Sequence, residues 1–423
     1  MSALLAASKR ESVFLEAAER IGSRLCRDAV HFDNRCTWIG SSMEFIGTSW
    51  AVVERAFGAE LYSGTSGIAL ILARLYDLTG ETVYRDIAKL AVAQSRKQAE
   101  NLRKSGFGFY AGMTGLAYAW TEIGEAFGDG ELLEAARTLL KQIMTCDIET
   151  QGLDVVSGCA GVIPVFLDLA HRLDEPALRD FAIRCGEHVL SSAKQRTAGM
   201  SWRTLEMPAV DDLTGFSHGT SGVAWALLEL YTATGDERFR RAAEAGFAYE
   251  RAWYSAEQEN WPDLRVLDGQ PITPERQLGY ALAWCHGAPG IGLSRLRAHA
   301  LTGDRIYREE VAAAINATRR SLSAQAQGTN YSLCHGLFGN ADLLIEAARA
   351  FGDPTLELEA QALGAHALER HHCDDEPWPC GVPNGTEAPG LLLGLAGIAY
   401  FYLRLYDAHK YPSLLLVAPR TQR

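Results

Sequence analysis

No uninterrupted apolar run in this chain of 423 residues approaches the ~18 needed to span a bilayer. Nor is there an excess of positive charge. Against 52 Asp and Glu stand 40 Lys and Arg, a net charge of 40 − 52 = −12. A nucleic-acid protein normally carries a basic footprint, so that class is excluded. No low-complexity linker and no second zone of composition divides the chain. The N-terminal stretch Met1 to Glu11 has too short an apolar segment, and charges too late, for a secretory signal. The expected location is therefore the cytoplasm. Disulfide pattern is missing as well. The nine cysteines (Cys26, Cys36, Cys146, Cys159, Cys185, Cys285, Cys334, Cys373 and Cys380) are odd in number and scattered. In a reducing compartment that leaves core thiols, metal ligands or nucleophiles. A hydrophobic content of 48% with 22% charged residues excludes general disorder.

What the chain does have is a repeat. Gly-x-x-Gly followed by an apolar run occurs at Gly64, Gly112, Gly158, Gly219, Gly287, Gly336 and Gly394, with spacings of 48, 46, 61, 68, 49 and 58 residues. One such tetrad means nothing; seven in register, each followed by the same kind of segment, mark a repeated structural unit. After Gly67 comes Ile68 to Leu75, apolar nearly all round, which predicts a helix buried on every side. It stops at Thr79-Gly80, where glycine suits a left-handed cap. From Glu81 to Ala91 apolar residues recur three and four apart, predicting a helix with one buried stripe. The turns at Thr234-Gly235-Asp236, Thr302-Gly303-Asp304 and Gly352-Asp353-Pro354 carry the same stop and start residues.

Each unit thus reads as an inner helix, a turn and an outer helix. The C-terminal copy, Ile398 to Leu403, is as apolar as the others, and no solvated capping unit is visible. The expected fold is all-α: a closed α/α toroid of seven inner and seven outer helices over residues 59–423. Residues 1–58 lie outside the repeat. Ser12 to Ala29 reads as an amphipathic helix, and Thr37 and the residues that follow as irregular structure. A loop is expected from Arg251 to Glu275.

The first glycine of each copy serves as a ruler. Ser217-His218-Gly219, Cys285-His286-Gly287 and Cys334-His335-Gly336 then align. In a ring, equivalent positions of consecutive units are neighbours at one rim. Two thiols and up to three imidazoles are expected to converge at the N-terminal ends of inner helices. Thiolate and imidazole together suit zinc, and three protein ligands leave one tetrahedral position open, the catalytic arrangement. Helix N-termini favour thiolates. Asp154, four residues before Gly158, is either an N-terminal cap or the partner of the rim imidazole at His218. Cys159, Trp261 and Trp284 read as core. His371, His372, Cys373 and Cys380 lie in a Pro-rich stretch without tight ligand spacing and read as a solvated loop.

These residues resemble the LanC-type lanthipeptide cyclases. The resemblance runs from about residue 12 to the end. It rests on Trp284-Cys285-His286-Gly287, Cys334-His335-Gly336, Ser217-His218-Gly219 and the Gly-x-x-Gly series. Trp38-Ile39-Gly40, Leu61-Tyr62-Ser63-Gly64 and Asn260-Trp261-Pro262-Asp263 are most similar to the cyclase half of the bifunctional class II (LanM) enzymes. Those enzymes carry a dehydratase ahead of the cyclase. The expectation here is an excised domain or a stand-alone relative, with a dehydratase as a partner. The resemblance implies one Zn²⁺ per chain held by Cys285, Cys334 and His335. It also implies His218 as acid/base and Asp154 as the acid that supports it. The ruler alone does not choose between His335 and His286. The nisin-type cyclase has Tyr at the position of His286. The family also places an Arg shortly before the first zinc Cys, and residues 280 to 283 here are Tyr, Ala, Leu and Ala.

The implied reaction is thioether ring formation in a dehydrated precursor peptide: a Cys thiol adds to the β-carbon of dehydroalanine or dehydrobutyrine. Two alternatives keep the fold and change the task. One is a binding or scaffold protein; the other uses a small thiol such as glutathione. A prenyltransferase-like zinc toroid is remote, since no Asp lies beside the metal Cys.

Overall fold

The computed structural model describes residues 2–46, 49–102, 106–267, 269, 273, 276–323, 330–371, 376–384 and 387–420. It begins with α1 (Ser2–Arg27). Two hairpins follow, β1 (Val30–Phe32) with β2 (Arg35–Thr37) and β3 (Ile39–Ile46) with β4 (Ser49–Ala56). Then come helix pairs: α2 (Thr65–Thr79) and α3 (Thr82–Leu102), α4 (Met113–Phe127) and α5 (Gly130–Ile143), α6 (Cys159–Arg172) and α7 (Pro176–Ser191). A third hairpin, β5 (Lys194–Arg196) with β6 (Gly199–Ser201), precedes α8 (Thr220–Thr234) and α9 (Glu237–Ala252). The series ends with α10 (Ala288–Thr302) and α11 (Arg305–Ser323), α12 (Leu337–Phe351) and α13 (Pro354–His371), and the unpaired α14 (Leu395–Tyr406).

Every even-numbered helix starts at the residue after the first glycine of a Gly-x-x-Gly copy. The second glycine has a steric reason. A Cβ at Gly222 would lie 2.1 Å from Phe216 O, and one at Gly290 would lie 1.9 Å from Trp284 O. In both cases the helix's first turn presses on the carbonyl six residues earlier, and only a hydrogen fits. At the other end, Gly80 and Gly235 cap α2 and α8 in the left-handed region (φ 73° for both), as the Thr-Gly signals predict. Asp236 then starts α9 by accepting from Arg238 N–H.

Two compact units divide the chain. The first comprises Met1–Ser105, Gly115–Leu139 and Gln325–Leu415. Within it, α2 packs on α3 and α12 on α13. α1, which carries no Gly-x-x-Gly, packs along α14. Its buried residues Phe14, Ala17, Ala18, Ile21 and Leu25 form one helical stripe, and Phe14 stacks on Tyr402 at 6.1 Å between centroids. The segment that lay outside the repeat in sequence therefore supplies the amphipathic partner of the last buried helix. The expectation of irregular structure after Thr37 needs correction. Residues 39–56 form the antiparallel β3–β4 hairpin, paired from Ile39↔Ala56 to Ile46↔Ser49. Its strands lack a clean alternation because Ile39 and Ile46 point outward (59% and 54% exposed).

The second unit comprises Gly106–Thr114, Leu140–Ala324 and Leu416–Arg423. There α6 packs on α7, α8 on α9 and α10 on α11. α6 is buried from Cys159 to Leu169, as its all-round apolar sequence requires. Cys159, Trp261 and Trp284 are core residues, as expected. No helix among the described residues is long and apolar enough to cross a membrane.

Candidate active site

The residue two before each first glycine lies in a backbone belt. In the second unit, Tyr110 N–H donates to Val156 O (3.0 Å), Val155 N–H to Ser217 O (3.0 Å) and Ser217 N–H to Cys285 O (3.2 Å). In the first unit, Cys334 N–H donates to Leu392 O (2.9 Å) and Leu392 N–H to Tyr62 O (2.7 Å). Val156, Ser217, Cys285, Cys334, Leu392, Tyr62 and Tyr110 all occupy the same ruler position. Within each unit these bonds hold the equivalent positions side by side.

In the second unit the belt carries an acid–imidazole pair. Asp154 is 1% exposed. One carboxylate oxygen, Oδ1, accepts from Ser157 N–H at 2.9 Å and closes a turn ahead of α6. The other, Oδ2, accepts from His218 Nδ1. Of the two roles its position in sequence left open, Asp154 takes that of partner to His218; α6 itself is capped at Gly158 with no side-chain bond. A carboxylate can only accept, so His218 Nδ1 carries the proton and Nε2 is the basic nitrogen. The loop ahead of His218 is anchored from below. Glu250 on α9 accepts from Gly215 N–H (2.7 Å) and Ser221 N–H (3.2 Å). Arg295 on α10, fully buried, donates to the other oxygen of Glu250 at 2.8 Å. Two buried charges meet and their donors are satisfied, which keeps the pair from being a liability. Thr204 O–H donates to His218 O and ties in the loop after β6.

Cys285 and His286 occupy a tight turn in which Ala283 N–H donates to His286 O (3.1 Å). Gly287 closes it at φ 100°, with a backbone unlike that of the other cap glycines of the series. His286 is 2% exposed, and its ring lies over that of His218 (6.1 Å between centroids, 30° between planes). Neither of its ring nitrogens has a hydrogen-bond partner. Burial, against the pull of Cys285 and Asp263, pushes its imidazole down to about 4, so it is neutral at pH 7.

The first unit carries Cys334, 5% exposed, and His335, half-buried, just ahead of α12. His335 Nε2 meets Gly381 O at 2.7 Å. A carbonyl accepts, so Nε2 holds the proton. Gly381, in a stretch that read as a solvated loop, is the contact the sequence did not reveal; a partner 46 residues away leaves no local signal. Of the weaker candidates, His371 packs against Trp378 (5.0 Å) and Tyr331 (5.4 Å), and Cys380 Sγ donates to Ala388 O. His372 and Cys373 lie outside the described residues.

With this geometry in hand, the comparisons decide the family. The family model for the lanthionine synthetase C-like protein matches residues 56–416. The chain belongs to the lanthionine synthetase C-like family. Among curated proteins it is similar to the lacticin 481/lactococcin biosynthesis protein LcnDR2 of Lactococcus lactis subsp. lactis. The two are 23% identical over 358 residues, covering 82% of this chain and 36% of that one. This family member thus spans about a third of the length of that relative. Among solved structures, nisin cyclase matches with a TM-score of 0.66 at 17% identity, over 84% of this chain and 91% of that one. The likeness shows the fold, the expected all-α, α/α toroid class. The mannosidase Bt3792 of glycoside hydrolase family 76 from Bacteroides thetaiotaomicron VPI-5482 matches with a TM-score of 0.50 at 12% identity, over 94% and 99%. One helical scaffold thus hosts unlike chemistries, and the side chains at the belt have to carry the function.

Proposed function

We propose that this family member is a zinc-dependent lanthipeptide cyclase. It adds Cys thiols of a dehydrated precursor peptide to dehydroalanine or dehydrobutyrine and closes lanthionine or methyllanthionine rings. The single observation that carries the reading is the Asp154–His218 pair, set at the belt row that also holds Cys285. The donor chemistry supports the metal. Cys285, Cys334 and His335 are the donors that the repeat register and the family resemblance single out. Two thiols and an imidazole suit Zn²⁺ and leave a fourth position for substrate sulfur. When bound, Zn²⁺ supplies a Lewis acid that brings a thiol with an ordinary pKa of about 8.5 into its thiolate form at neutral pH.

The chain's own residues do the proton work. His218 Nε2 accepts the proton of the incoming S–H, and Asp154 stabilises the imidazolium through Nδ1–H. The S–C bond forms at the β-carbon as the carbon–carbon double bond opens. The electron pair left toward the α-carbon then takes a proton from His218 Nε2. The sum is an addition with no leaving group, so peptide mass does not change. Holding thiol and alkene in one site makes closure effectively unimolecular. A dehydratase partner, fused or separate, has to make the alkene first.

The test is a synthetic peptide carrying one dehydroalanine and one Cys, incubated with the purified chain and then alkylated. Loss of the alkylatable thiol at constant mass is the expected result. A thiol that stays free, with zinc bound, removes the reading.

A further inference from the structure

Beside the belt of the first unit, residues 376–384 form a strap across the N-terminal end of α12. Trp378 is its anchor. It packs against Tyr331 (5.5 Å), His371 (5.0 Å), Tyr402 (6.0 Å) and Phe338 (6.3 Å). Phe338 lies in the first turn of α12, three residues after His335. Trp378 N–H donates to Glu387, which pairs with Arg24 of α1. Beyond Trp378 the strap is stitched by backbone. Tyr331 N–H donates to Pro379 O (2.9 Å) and Gly381 N–H to Leu393 O (2.7 Å). Gly381 is thereby pinned, and its carbonyl meets His335 Nε2 at 2.7 Å.

A side chain at this position would have to push its neighbours aside. A Cβ on Gly381 would lie 2.8 Å from Ser332 Oγ, 2.9 Å from Leu393 Cδ2 and 3.0 Å from His335 Nε2. The backbone approaches the imidazole as closely as a hydrogen bond requires, and an added Cβ would crowd the imidazole and its neighbours. An imidazole that donates Nε2–H is locked in one tautomer, with its lone pair on Nδ1.

We propose that Gly381 is a positioning residue for the metal site: its carbonyl fixes His335 so that the ring meets the ion through Nδ1. The inference rests on the zinc reading above and adds which atom binds and what holds it. Contacts of this kind behind a metal-bound imidazole set ring orientation and ligand basicity.

Two measurements test it. In zinc-loaded chain labelled with ¹⁵N-histidine, long-range ¹H–¹⁵N spectra read the protonated and the metal-bound nitrogen of His335, assigned by its loss in His335→Asn. The expected pattern is a proton on Nε2 and zinc on Nδ1. Zinc on Nε2 overturns the inference and leaves the zinc reading standing; a chain that binds no zinc overturns the zinc reading itself. In the second measurement, chelator competition compares Gly381→Ala with the parent. Zinc affinity is expected to fall about 10–100-fold. A control, Gly130→Ala, at a glycine with nothing within 4 Å of the added Cβ, is expected to keep its affinity. A folded Gly381→Ala chain with unchanged affinity also overturns the inference. If that variant does not fold, the spectrum of the parent decides alone.

Discussion

Three histidines occupy the same position in their repeats, and the two units give them different partners. In the second unit His218 pairs with a buried carboxylate, Asp154, while neither ring nitrogen of His286 has a hydrogen-bond partner. In the first unit His335 faces a backbone carbonyl, that of Gly381. A carboxylate stabilises an imidazolium, so His218 is suited to take and return a proton. A carbonyl fixes a neutral tautomer without favouring charge, which suits a metal ligand. A buried ring with no partner is kept neutral and pays for its burial in stability. The repeat sets where each imidazole stands; the residue opposite sets what it can do.

Substitutions can break this division of labour. The largest effect is expected at Cys334. Cys334→Ala should drop zinc from about one per chain to near none, together with ring closure, as read by metal analysis and the alkylation assay. Next comes His218→Ala. It should keep its zinc and slow closure by about 10²–10⁴-fold; normal closure in a zinc-loaded variant would end the acid/base role. Asp154→Asn sharpens the comparison further. The amide oxygen still accepts from Ser157 N–H, so the fold should survive. The carboxylate that favours Nδ1–H on His218 is gone, and closure should slow on the order of 100-fold with zinc retained. Unchanged kinetics would leave Asp154 only its turn-closing bond to Ser157 N–H. The smallest effect belongs to His286→Leu. Zinc and rate should stay within a few-fold. The unfolding free energy from urea titration should hold or rise by about 1 kcal/mol, because an unsatisfied buried ring is removed. A large loss of stability would mean that the ring has a partner after all.

Much of this was readable from residues alone, for local reasons. Each even-numbered helix begins one residue after a glycine of the series, and the left-handed caps fall on Gly80, Gly235, Gly303 and Gly352. Those signals depend on backbone sterics within a few residues. Within the second unit, the Ser217–Cys285 bond joins two positions that the glycine ruler made equivalent. What escaped reading depends on distant partners. α1 lacks the repeat glycines, so nothing in its sequence assigned it to α14, more than 360 residues on. The β3–β4 hairpin hid behind outward-facing Ile39 and Ile46. The choice between cap and partner for Asp154 was not legible because its partner His218 lies 64 residues away in sequence. Gly381 was invisible because its contribution is a carbonyl, which every residue has.

The central claim is that two sulfurs and one imidazole nitrogen hold a single ion. Zinc-edge X-ray absorption on the purified chain tests it most directly. The account predicts about one zinc with two sulfurs near 2.3 Å and nitrogen and oxygen neighbours near 2.0–2.1 Å. A chain without zinc, or a zinc shell with no sulfur or with four protein ligands, would contradict it.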